Sequence, residues 1–97
     1  MKKALFIAIV LIIPSLSFAA APAKEATCRA CHGAQGAKPL AANYPKLNGQ
    51  NKAYLVDALN AYKNGGRTGG LAGVMRAQAS GLSDAEMNEL AEYYSKQ

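Results

Sequence analysis

Five consecutive residues, Cys28-Arg29-Ala30-Cys31-His32, constrain this chain more than any other stretch. They hold its only two cysteines and its only histidine. Thiols three residues apart can each bond one vinyl group of a single haem, and the adjacent imidazole can reach the iron from the same side. Cys-x-x-Cys-His is the pattern of c-type haem attachment. Structural zinc needs four ligands, and no other Cys or His is present to complete such a set. A thioredoxin-like redox pair expects a strand–helix–strand setting, and no convincing strand is readable here. A simple disulfide would leave the neighbouring histidine as coincidence.

The start of the chain explains how two thiols can be committed to bonds. Lys2 and Lys3 precede an apolar run over residues 4–13, and Ser17-Phe18-Ala19 offers small residues where a signal peptidase reads. Cleavage is expected after Ala19, making residues 1–19 a signal peptide and residues 20–97 the exported domain. The apolar run before Pro14 is shorter than the roughly 20 residues a membrane span requires. No stable membrane insertion is therefore expected after cleavage, and the destination is the periplasm. Outside the cytoplasm thiols are normally committed to bonds, here two thioethers.

The exported part, 78 of the 97 residues, is one domain. A core that small usually depends on a staple, and covalent haem would supply one. Charge excludes another class. Without Lys2 and Lys3 there are nine basic residues against six acids, a mild excess that two haem propionates reduce further. Lys38, Lys46, Lys52, Lys63, Arg67 and Arg76 form no cluster, so nucleic acid is a poor partner. A modest basic face could instead steer redox proteins with acidic docking surfaces, although ordinary solvated lysines account for the same residues.

Periodicity predicts an all-α domain of three main helices joined by irregular loops. The first covers residues 24–34 and stops near Gly33. The second covers 50–64, with Leu55 and Leu59 one turn apart and Gly65 ending it. The third follows Ser83, whose partner Glu86 completes a capping box, while Leu82 and Met87 form a hydrophobic staple. Met87, Leu90, Ala91 and Tyr94 continue its apolar stripe. The stretches 35–49 and 65–81 read as loops, unusually long ones for so small a domain unless they wrap something.

A haem ligated by His32 on one face needs a ligand on the other. Met75 and Met87 are the methionines that remain after signal removal. The staple already accounts for Met87, whereas Met75 lies in a glycine-rich stretch that could drape over a haem face. Packing is the competing role for Met75. His/Met ligation raises the reduction potential, and filling both axial sites argues against peroxidase or oxygen chemistry.

With Cys28, Cys31 and His32, then Tyr44-Pro45-Lys46-Leu47-Asn48-Gly49-Gln50, Met75, and the closing Leu82-Ser83-Asp84 and Tyr93-Tyr94 in order, the chain resembles class I cytochromes c. It looks closest to the small bacterial monohaem branch around the c4 and c5 types. The resemblance implies a small single-domain cytochrome c fold around one haem c, with Cys28 and Cys31 as thioether residues and His32 and Met75 as axial ligands. It further implies that the Pro45 carbonyl, rather than that of Pro39, accepts the far imidazole proton, and that Leu47 packs near the His32 side. Arg67 is a candidate propionate neighbour, with a solvated loop arginine as the alternative. One departure is a short first helix without an aromatic to meet Tyr93 or Tyr94 at the family's helix crossing.

Two functions fit the resemblance. The first is a soluble electron carrier with no catalysis of its own. The second is a cytochrome subunit stably bound to an exported enzyme, such as a flavocytochrome c sulfide dehydrogenase, taking electrons from a flavin on its partner. A haem-based ligand sensor is a third possibility and requires Met75 to leave the iron.

Overall fold

The computed structural model describes residues 3–12 and 20–97. The expected cleavage point after Ala19 borders residues 13–19, which lie outside the described residues. Residues 3–12 adopt no helix or strand, and their apolar side chains stay exposed, Phe6 at 94 %. Among the described residues no helix is long and apolar enough to cross a membrane.

Residues 20–97 are all-helical, with no strand among the described residues. The elements are α1 (Glu25–His32), a 3-10 turn (Ala34–Gly36), α2 (Lys52–Lys63), α3 (Ala72–Ser80) and α4 (Asp84–Ser95). Three of the four α-helices lie where periodicity places them. The fourth, α3, falls inside the stretch expected to be an irregular loop. Glycines at both ends and at Gly73 masked a run of Ala, Val, Met, Arg and Gln with good helix propensity, and packing against α2 supplies the rest of its stability.

Local chemistry sets the helix ends. The Asn51 side chain caps α2 by accepting from Tyr54 N at 3.1 Å. Ser83 Oγ accepts from Glu86 N at 3.1 Å while Ser83 N donates to Glu86 Oε1 at 3.0 Å, so the expected capping box closes α4 in both directions. Those hydrogen bonds hold the Glu86 carboxyl below its ordinary range.

Gly33 ends α1 with φ 80° and ψ 166°, a region open essentially to glycine alone. A Cβ there would lie 2.0 Å from the Lys38 carbonyl oxygen, and a backbone oxygen cannot step aside as a side chain does. Gly33→Ala is expected to cost on the order of 3 kcal/mol, read as a lower denaturation midpoint of the haem-loaded protein. An unchanged midpoint would show that the turn after His32 relaxes freely.

The core is small. Leu55, Leu82, Met87, Leu90, Ala91 and Tyr94 form one buried cluster, with Cys28, Leu47, Val56, Leu59 and Tyr93 packed against it. α2 packs on both α3 and α4. Lys63 Nζ donates to the Leu82 carbonyl at 2.5 Å, and Lys52 pairs with Glu92 at 3.1 Å, which ties both ends of α2 to the α4 region. α1 brings no phenylalanine, tyrosine or tryptophan of its own to α4. Cys28 packs on the cluster, Lys24 pairs with Glu86 at 3.8 Å, and a buried glutamate, Glu25, takes a place in the interior.

Candidate haem crevice

Helical spacing puts Cys28, Cys31 and His32 on one side of α1, since residues three and four apart share a face. All three line an open cavity of about 710 Å³, within the range of cofactor sites, about 300–1,000 Å³. Both thiols are free and half-buried. Burial pushes the Cys28 thiol up, and the charge of Glu25 adds to the rise. The neighbouring Tyr94 hydroxyl opposes it, without making a bond of good geometry.

His32 is 5 % exposed, and its ring is fixed from behind. Nδ1 lies 2.8 Å from the Pro45 carbonyl oxygen. A carbonyl only accepts, so Nδ1 carries the proton and the Nε2 lone pair is left for another partner, the arrangement that orients metal-bound histidines. The Pro45 loop is itself pinned. Leu47 N donates to the Gly36 carbonyl at 2.9 Å, and Leu40 N donates to the Cys31 carbonyl at 2.9 Å. Leu47 lines the cavity and packs on the core.

Met75 reaches the same cavity from α3, half-buried. A helix presents it, not a draped loop. Met87 is 1 % exposed in the core and does not line the cavity. Leu55, Leu59, Leu71, Val74 and Leu90 supply an apolar lining. Lys46 and Arg67 are the cavity's charged lining residues, both basic. The Arg67 guanidinium sits 4.6 Å over the Tyr62 ring, a cation–π contact that fixes it at the rim.

Tyr94 lines the cavity from α4, and its hydroxyl is buried with no partner. Desolvation and the neighbouring Cys28 and Glu25 charges push that hydroxyl's pKa upward. An orphaned donor, two half-buried thiols and an imidazole with one free nitrogen converge on one apolar crevice. That donor set, with its apolar lining, fits a covalently attached haem.

Sequence reasoning missed Gln78, which lines the cavity one turn beyond Met75, because α3 was not legible. It missed the buried Glu25 as well, since a glutamate opening a helix ordinarily reads as a solvated partner of the dipole.

The family model described as Cytochrome c matches residues 19–96. A cytochrome c-554(548) from Halomonas halodenitrificans is 47 % identical over 79 residues, covering 81 % of this chain and 94 % of that protein. A thiosulfate dehydrogenase electron acceptor from Thiomonas intermedia is 46 % identical over 80 residues, covering 82 % of this chain and 36 % of that protein. A cytochrome c4 from Pseudomonas aeruginosa is 42 % identical over 79 residues, covering 81 % and 37 %. The chain therefore spans nearly all of the first relative and little more than a third of the other two. It belongs to the cytochrome c family, electron-transfer proteins rather than enzymes, and its two cysteines fit the Cys-x-x-Cys-His motif of a protein with one covalently bound haem c.

Proposed function

We propose that this cytochrome is exported to the periplasm and works as a soluble one-electron carrier, with Cys28 and Cys31 holding the haem and His32 and Met75 ligating its iron. The observation that carries the ligand assignment is the 2.8 Å contact of His32 Nδ1 with the Pro45 carbonyl. It leaves Nε2 free beside the two thiols that line the same crevice. When bound, the haem supplies reversible one-electron chemistry. Pro45 orients the imidazole, Leu47 supports that side, Met75 offers a thioether from a separate helix, and the leucines keep water out.

Two basic side chains on the crevice lining, Lys46 and Arg67, support docking on acidic faces of redox partners. Electrostatic steering accelerates such encounters, and a small interface lets the partners part quickly. Export rests on the Lys2-Lys3 start, the apolar run and the small residues before Ala20.

A second reading has the chain as the electron-accepting partner of an exported enzyme. Two relatives named thiosulfate dehydrogenase electron acceptor, at 46 % and 39 % identity, support it. A flavoprotein partner rests on the resemblance to flavocytochrome subunits alone. Size-exclusion chromatography of protein from its native host separates the two. The carrier is expected to elute as a small haem protein, and co-elution with a larger dehydrogenase or flavoprotein would replace the carrier reading.

A further inference from the structure

Apart from His32, Glu25 is the buried polar or charged residue among those described. It opens α1 three residues before Cys28, and Cβ atoms at that spacing lie about 5–6 Å apart. Arg29 holds one carboxylate oxygen, Oε2, through Nη2 at 2.7 Å and Nε at 2.8 Å. The other oxygen, Oε1, is buried with no partner.

The pair is lopsided. The Glu25 side chain is 2 % exposed and the Arg29 side chain 50 %. Water screens the guanidinium, while the carboxylate acts through a medium of low dielectric, so the interior experiences a net negative charge. The groups facing it are Arg29 and Cys28 on α1 and Tyr94 on α4, while Tyr93 bears on Arg29. Lys24 beside it is engaged with Glu86. A carboxylate serving only to anchor α1 would have both oxygens satisfied, because an unpaired buried oxygen is costly. Tyr94 contributes the other unpartnered buried atom, an O–H donor on the crevice wall.

We propose that the buried Glu25 carboxylate lowers the reduction potential of this cytochrome by holding negative charge, only partly offset by the half-exposed Arg29, one helical turn from Cys28. Oxidation removes one electron and adds one positive charge, so a fixed negative charge nearby favours the oxidised form and lowers the potential. Burial, local charge and hydrogen bonding are among the levers by which proteins tune haem. The inference rests on the assignment of Cys28 as a haem attachment residue.

The test is potentiometric titration of haem-loaded wild type, Glu25→Gln and Glu89→Gln. Glu25→Gln keeps the shape and removes the charge. Its midpoint potential is expected to rise by about a tenfold change in the one-electron equilibrium, or 59 mV. Glu89→Gln removes an exposed charge on α4 and is expected to change that equilibrium less than twofold. A shift in Glu25→Gln that is absent, downward or no larger than that of Glu89→Gln overturns the proposal. Glu25→Met, uncharged and of similar length, applies the same criterion if the glutamine variant fails to retain haem. Peptide mass spectrometry distinguishes the two ways to fail. A haem-free Cys28 refutes the attachment, whereas a haem-bearing Cys28 with an unmoved potential refutes the role of Glu25.

Discussion

The double variant Cys28→Ala/Cys31→Ala is expected to lose most of its helical circular dichroism. Magnitudes decide this. The large buried residues of the domain amount to one cluster, Leu55, Leu82, Met87, Leu90, Ala91 and Tyr94. Beside it lies a crevice of about 710 Å³. At about 24 cal/mol per Å³ of unfilled cavity the cost approaches about 17 kcal/mol, an upper bound because this cavity opens to water. Even a third of that figure exceeds the lower end of the roughly 5–15 kcal/mol that stabilises ordinary domains. Truncating two thiols to alanine removes little apolar area in itself, so a large effect has to come from losing what the thiols attach. Far-ultraviolet circular dichroism, with haem absorbance followed through a desalting column, checks it. Native-level helicity in the haem-free chain would show that the four helices pack without the haem.

Met75→Ala is the second large effect. If the thioether ligates the iron, oxidised wild type carries a weak absorption band near the red end of the visible spectrum, and the variant lacks it. The midpoint potential falls with it, since Met/His ligation raises the potential and axial ligands as a class span about 0.8 V. A fall on the order of 0.1 V is expected, about fiftyfold in the one-electron equilibrium at 59 mV per decade. Met87→Ala is the control that separates ligation from packing. Met87 is 1 % exposed in the core and away from the crevice, so its loss should cost about 2–5 kcal/mol of stability and leave the band in place. A Met75→Ala protein that keeps the band removes Met75 from the ligand set. A Met87→Ala protein that loses it moves the assignment to Met87.

The potential measurements on Met75→Ala and Glu25→Gln have opposite expected signs. A generally loosened crevice would move both variants in the same direction. Opposite shifts therefore separate the two residues from nonspecific damage to the fold.

Local features of the chain were legible because their physics is local. Ser83 and Glu86 satisfy each other within three residues, so the start of α4 needs no tertiary context. Met87, Leu90, Ala91 and Tyr94 recur at helical spacing, and all four are buried. Two thiols and an imidazole within five residues share a helix face wherever that helix forms. α3 was not legible, because Gly70, Gly73 and Gly81 weaken its propensity, and its stability comes from contact with α2. Its register decides that Met75 lines the crevice from a helix and brings Gln78 with it.

The sequence by itself determined that this protein carries haem. Cys28-Arg29-Ala30-Cys31-His32 holds every cysteine and the histidine of the chain, and a covalent pattern five residues long needs no fold to be read. Tertiary structure alone decided what surrounds that attachment. Pro45 meets His32 across thirteen residues of chain, through a loop pinned by backbone bonds to Gly36 and Cys31. Glu25 is a helix-opening glutamate by sequence and a buried charge, close to Tyr94 of α4, only in the packed structure. Spacing along one helix is fixed by the backbone's own hydrogen bonds, whereas burial and long-range contacts exist only after separate elements have packed.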